Sequence, residues 1–389
     1  MPKLLRITTV PISLKLLIKG QMKFMSENGF EVLMTSGDGV EVNEVVQAEN
    51  CELEIVPFTR KISPFLDLKC LFCLIKIIKK FKPDIVHTHT PKAGLIGMLA
   101  AKICGVKLKL HTVAGLPLFT ANGFKYLLLR YTEIITYWAS DYTLPNSISL
   151  MDYIKENKLV NSKKLHIICK GSSNGIDLNR FSQRNLNTKR LVELKDEIAF
   201  DENSFYLLTV GRVVRDKGII ELIRAFNSLE DKYPRLRLII LGPIEDQRTE
   251  ESIPQSILDE IIRNNKITHI DWSDEVEYYM EICDLLIHPS HREGFPNVLL
   301  QAGAMMLPIL CSNIPGNIDI VDHNKTGQLF KKGKQISLET GLDNAINNYK
   351  DLNDLAENLK AKIERDFSTT TIHNNILNFY NLKLDRDKK

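Results

Sequence analysis

Residues 291–303 read HREGFPNVLLQAG, and their types and spacing suit an anion lying beside a polyol. Gly294 lets a backbone come close to a ligand, and Pro296 suits the first position of a helix, where its missing N–H costs nothing. The amides of Asn297 and Val298 would then point out of the helix start towards an anion, with Phe295 completing the turn. Gln301 follows one helical turn after Asn297 on the same face, within reach of a second part of the same ligand. Glu293 places a carboxylate next to this anion site, which is unfavourable unless it accepts from hydroxyl groups such as those of a sugar.

Upstream, residues 211–218 read GRVVRDKG, with Arg212 leaving an apolar run and Lys217 preceding a helix that begins near Gly218. A planar guanidinium fork and an ammonium point charge together would neutralise a diphosphate. An Arg and a Lys in a loop, taken alone, are usually just solvated surface. Joined to the 293–301 element they become specific. Sugar on Glu293, diphosphate on Arg212, Lys217 and the helix amides, and ribose on Gln301 together imply a nucleotide diphosphate sugar.

The elements that position these residues alternate along the chain. Short β-branched runs (LLRITTV, EVLMTS, ELEIVPF, DIVHTHT, KLKLHTV, DYTLPNS, LHIIC) are separated by helical patterns, and a second series (SFYLLTVGR, LRLIILG, ITHIDW, DLLIHPS, LPILCS) repeats the arrangement. Such alternation predicts parallel sheets covered by helices on both faces. The polar stretch around 171–203, with an Asn-Gly turn at Gly175, reads as a linker. The expected architecture is an α/β chain of two doubly wound Rossmann-like domains facing a cleft. Residues 1–185 form the first and 200–365 the second, and a terminal helix over 366–389 packs back on the first. Ligands then belong at the carboxyl ends of the strands.

With 389 residues, two domains are the natural division. A net charge of +3 and the absence of a Lys/Arg block argue against a nucleic-acid partner. Seven scattered cysteines, mostly beside apolar residues, fit reduced thiols in a cytoplasmic protein, and Cys70 and Cys73 lack the second pair a metal site needs. His87 and His89 share one face of a strand end, but the further ligands of a zinc site are not evident. Segment 64–82 combines an apolar stripe (Leu68, Leu71, Phe72, Ile75, Ile78) with Lys69, Lys76, Lys79, Lys80 and Lys82. That pattern fits either an anionic membrane surface or an ordinary helix packed on the sheet with a solvated lysine face.

The pair GRVVRDKG and EGFPNVLLQ resembles the donor site of the retaining glycosyltransferases of family 4, and KPDIVHTHTPKAGLIGMLAAK, LPNS and SSNGID fall in the family's order. The resemblance is strongest to members that build bacterial capsules, O-antigens and other polyprenyl-linked glycans. It implies the GT-B fold and transfer with retention from a nucleotide diphosphate sugar, UDP by analogy, to a lipid-linked acceptor. The setting implied is cytoplasmic, peripheral on the inner face of the membrane. It further implies metal-independent chemistry without a cofactor, with Glu293, Arg212, Lys217 and His111 as the catalytic candidates and Gly20, His87, His89 and Lys92 on the acceptor side.

Two positions depart from the family pattern. Gln301 replaces the second glutamate of the E-x7-E element, at a cost of about 1 kcal/mol in ribose binding. Ala114 stands where many relatives carry a histidine before the Gly, leaving His111 either as a substitute or as a structural residue. A sugar-nucleotide epimerase or phosphorylase, and a catalytically silent sugar-nucleotide binding protein, are the rival readings on the same architecture.

Overall fold

A computed structural model describes residues 1–59, 63–119, 121–245 and 251–386 of the chain. The backbone divides into two units, Met1–Gly175 with Thr369–Lys389, and Ile176–Ser368.

In the first unit the chain runs β1 (Lys3–Ile7), α1 (Pro11–Leu17), α2 (Gln21–Glu27), β2 (Glu31–Ser36), α3 (Val42–Glu49) and β3 (Glu52–Ile55). It continues through α4 (Pro64–Phe81), β4 (Ile85–His89), α5 (Pro91–Ile103), β5 (Leu108–Val113), α6 (Gly123–Ala139), β6 (Tyr142–Pro145) and α7 (Ile148–Glu156). The second unit opens with α8 (Thr188–Glu197), β7 (Phe205–Val210), α9 (Ile219–Leu229), β8 (Leu236–Leu241), α10 (Gln255–Arg263), β9 (Ile267–Ile270) and α11 (Val276–Ile282). There follow β10 (Leu285–His288), α12 (Asn297–Ala304), β11 (Ile309–Ser312), α13 (Asn317–Ile320), β12 (Gln328–Phe330), α14 (Gln335–Asn347) and α15 (Tyr349–Asp366). The last helix, α16 (Thr369–Arg386), returns to the first unit.

Each unit holds one parallel six-stranded sheet, ordered β3-β2-β1-β4-β5-β6 and β12-β11-β10-β7-β8-β9. Strands buried on both faces need apolar residues at successive positions, and β8 shows the reason. Its Ile239 and Leu241 enter one apolar core while Leu238 and Ile240 enter the other. The first sheet is likewise sandwiched, with α16 supplying Ile372, Ile376, Tyr380 and Leu384 to one core and α4 and α5 building the other.

Three details differ from the sequence expectation. LHIIC forms only an isolated bridge, Leu165 to Thr143, and no strand, whereas the short QLF run forms β12. The polar stretch after Gly175 is not a free linker. Ile176, Phe181 and Leu194 are buried in the core of the second unit, and the Ile176 amide donates to Phe367 O at 2.8 Å.

Candidate donor-site loops

In the second sheet the chain leaves β7 towards β8 and β9, then returns to β10 on the other side of β7. The strand ends on either side of that reversal open a crevice, where ligands of doubly wound sheets bind. The loops after β7 (211–218) and β10 (289–296) meet at this point. Gly218 has φ +69°, and a Cβ there would lie 2.1 Å from Pro289 O, so only glycine allows the two loops to touch. The loop after β11 closes on the same place: a Cβ on Gly316, at φ +88°, would come within 2.8 Å of Gly294 O.

Glu293 is the centre of this junction. Its Oε1 accepts from Lys217 Nζ at 2.5 Å and from Ser290 Oγ at 2.6 Å. His288 Nε2 lies 3.0 Å from the same oxygen, close enough for electrostatic attraction although the ring is turned out of hydrogen-bond alignment. Burial opposes ionisation of this carboxyl, but Lys217 and His288 overcome it and hold the group well below the usual carboxylate range. The flanking residues are also fixed. Arg292 Nε donates to Asp216 Oδ2 at 2.6 Å, the His291 amide to Asp216 O at 2.8 Å, and Ser312 Oγ to Ser290 O. His288, Ser290, Asp216 and Gly316 escaped the sequence reading. Their position just beyond a strand end was the available signal for His288 and Ser290.

Arg212 stands in the same loop as Lys217, but its Nη1 donates to Glu245 Oε2 at 2.9 Å and lies 3.3 Å from Glu251 Oε2. Both cations assigned to a diphosphate are therefore paired with carboxylates of the unit itself. On the opposite side α12 begins at Asn297, with Pro296 as the residue before it; the expected helix start is shifted by one. A proline ψ of 109° is extended, so Pro296 ends the loop and the first helical turn opens at Asn297. No side chain caps this helix, and among the described residues the amides of Asn297 and Val298 have no hydrogen-bond acceptor. Gln301 is half-buried one turn further on. Phe295 turns inward, with its ring 5.3 Å from that of Phe367, leaving only its backbone for a ligand.

The first unit places its candidates differently. His87 and His89 do share a face, as alternation requires, but both are buried. His87 Nδ1 is 2.5 Å from Tyr380 Oη and Nε2 is 2.7 Å from Thr112 Oγ1, so α16 plugs the position expected to face an acceptor. His111 is corrected too. Its Nδ1 contacts Thr88 Oγ1 at 2.8 Å beneath α5, and Gly94 is so close that a Cβ would sit 2.4 Å from His111 Cε1. Burial, reinforced by the buried Arg6, lowers the His111 pKa to about 3, which makes it a neutral core histidine and no substitute at Ala114. Gly20 has its amide taken by Glu49 Oε1 at 2.5 Å, and Glu49 Oε2 accepts from the Met22 and Lys23 amides at 3.0 Å, so a buried carboxylate already fills the anion position of α2. Lys92 pairs with Asp67 at 2.8 Å.

Comparison with known proteins identifies the family and the fold. The model of the glycosyl transferases group 1 matches residues 192–362, and that of the glycosyl transferase 4-like family matches residues 13–141. The capsular polysaccharide biosynthesis glycosyltransferase CapM of Staphylococcus aureus is 33% identical over 380 residues, 97% of both chains. The UDP-Gal:alpha-D-GlcNAc-diphosphoundecaprenol alpha-1,3-galactosyltransferase of Escherichia coli is 27% identical over 315 residues, 79% of this chain and 78% of its own. Among solved structures, a glycosyltransferase of Rickettsia africae superposes with TM-score 0.81 at 20% identity, covering 98% of both chains. Anabaena HepE in complex with UDP and glucose gives TM-score 0.81 at 16% identity, over 98% of this chain and all of the other. At these identities the two structures speak to the fold alone.

Proposed function

The chain belongs to the family 4 glycosyltransferases of the GT-B class, and on that premise we propose that it moves a sugar, with retained configuration, from a UDP-sugar to a polyprenyl-diphosphate-linked acceptor in surface-polysaccharide assembly. The observation that carries the reading is the junction at the β7–β10 reversal. There an anionic Glu293, Lys217, Arg212, the open amides of α12 and Gln301 lie on loops locked together by Gly218 and Gly316. A relative named for UDP-Gal as donor and a diphosphoundecaprenol acceptor supports the substrate classes.

In this reading Arg212, Lys217 and the Asn297 and Val298 amides stabilise negative charge developing on the departing diphosphate. Glu293 orients the sugar through its hydroxyls, and Gln301 accepts from the ribose. The acceptor hydroxyl attacks on the face that the diphosphate leaves, and a leaving-group oxygen takes its proton. Neither a metal nor a cofactor enters the scheme. The acceptor is assigned to the first unit through Lys92, and the lysine face of α4 to the inner surface of the cytoplasmic membrane.

Calorimetry with UDP and GDP on the wild type, Arg212→Ala and Gln301→Glu tests the donor site. UDP binding, its loss in Arg212→Ala and several-fold tightening in Gln301→Glu are expected; no binding of either nucleotide at millimolar concentration refutes it. The buried state of His111, together with Ala114, favours one alternative, a sugar-nucleotide binding protein without turnover. Release of UDP that depends on added acceptor discriminates against it.

A further inference from the structure

Arg6, on β1, is 1% exposed and is among the largest side chains closed inside the first unit. Its guanidinium reaches the Tyr380 hydroxyl, while Nε and Nη1 have no hydrogen-bond partner. Burial works against the charge, yet a guanidinium keeps its proton in a protein. A full positive charge therefore stands in the core.

Among the described residues no carboxylate pairs with Arg6, and Tyr380 is the group that favours its charge. Burial raises that phenol to about 12, so it stays neutral. His87, His89 and His111 are neutral as well, their pKa values lowered first by burial and then by Arg6 itself. Buried charges in folded proteins are paired, because leaving one alone costs far more than burying a neutral group.

Arg6 also lines a small cavity near the carboxyl ends of β5 and β6, together with Thr112, Asn146, Ser172 and Ser173, and Ile376 of α16 bounds it. Ser173 Oγ is buried without a partner. Ser172 Oγ accepts from the Gly175 amide at 2.8 Å, which leaves its own proton to donate. Asn146 Oδ1 is a buried acceptor without a donor. The cavity measures about 10 Å³, the space of one water-sized sphere.

Size and charge together choose the occupant. A phosphate or a carboxylate has too many heavy atoms for this space. A water fits and suits Asn146 Oδ1, but it leaves the guanidinium uncompensated. A halide accepts from two guanidinium N–H groups and from the serine hydroxyls, and it neutralises Arg6. Asn146 Oδ1 opposes an anion with a partial charge only, which the full charge of Arg6 outweighs.

We propose that the first unit holds a chloride ion on Arg6 Nε and Nη1, with the hydroxyls of Ser172 and Ser173 completing its shell beneath α16. The ion stabilises this unit by joining β1 to the segment that carries the two serines. None of these residues belongs to the second unit, so the site is independent of the donor reading.

Scanning calorimetry of the full chain at fixed ionic strength, with sodium gluconate replaced stepwise by chloride or bromide, tests the site. The first unit should unfold at higher temperature in halide, its folding constant growing nearly tenfold for each tenfold of halide above Kd. Ser173→Ala should weaken this response several-fold, and Arg6→Met should abolish it. Crystals grown in bromide need no variant, and an anomalous peak within hydrogen-bond reach of Arg6 Nε and Nη1 is expected. Equal stability in gluconate and halide, or a water at Arg6 in the bromide crystals, overturns the proposal. So does a rise that Arg6→Met retains, which is a general salt effect. A bromide peak with no halide-dependent stability is an adventitious ion only and counts against it equally.

Discussion

In the proposed donor site, Glu293 is a single carboxylate held ready for hydroxyl donors. Two neighbours of opposite character, Lys217 and Ser290, share one of its oxygens, so its orientation is set before any ligand arrives. Arg212 is held in a different way, between Glu245 and Glu251, and the proposed diphosphate would have to compete with those carboxylates for it. Removing one competitor should help the donor. Glu251→Gln is expected to tighten UDP several-fold, about 1 kcal/mol, because a neutral amide holds the guanidinium less strongly. Titration calorimetry at fixed salt measures this, and unchanged affinity would mean that Glu251 does not restrain Arg212.

At the scale of elements, the proposed donor loops depend on glycine where two backbones touch. In Gly218→Ala the new methyl meets the carbonyl of Pro289 in a left-handed backbone position, so the loops after β7 and β10 must part. Stability of the second unit should fall by at least about 2 kcal/mol, and UDP binding should vanish because Lys217 and Glu293 no longer meet. Thermal unfolding followed with calorimetry on the same variant checks both. Retained UDP binding would show that the contact positions nothing. The first unit offers a pH test. Burial lowers His111 to about 3 and His373 to about 4, and takes His87 and His89 well below 6.5. The unfolded chain binds protons at these sites from about pH 6.5 downwards while the folded unit does not, so folding stability falls as pH drops through that window. Each histidine contributes up to about 1.4 kcal/mol per pH unit there. Urea unfolding of the first unit at pH 7.5 and 5 measures the slope, and His111→Asn should reduce it.

For the whole molecule, the return of α16 to the first unit ties the chain's end to its beginning. Ending the chain at Ser368 removes Ile372, Ile376 and Tyr380 from a core in which all three are buried, together with the hydroxyl partner of His87. At about 1.5–3 kcal/mol for each buried apolar side chain, the loss is enough to unfold the first unit. The truncated chain is expected to keep UDP binding in its second unit while losing the first unit's unfolding transition in scanning calorimetry; two intact transitions would contradict it.

Much of this was readable in one dimension. Apolar runs, glycines and the proline of the 293–301 element are signals between neighbours, and neighbours suffice to specify parallel strands, the loops that end them and the helix that begins beyond. What one dimension lacks is which strand ends meet. That Lys217 pairs with Glu293, that Glu49 fills the start of α2 and that Tyr380 closes over His87 are decided by contacts between residues remote in sequence. The same lysine or histidine is solvated, catalytic or structural according to the partner that folding brings to it, and only the tertiary structure supplies that partner.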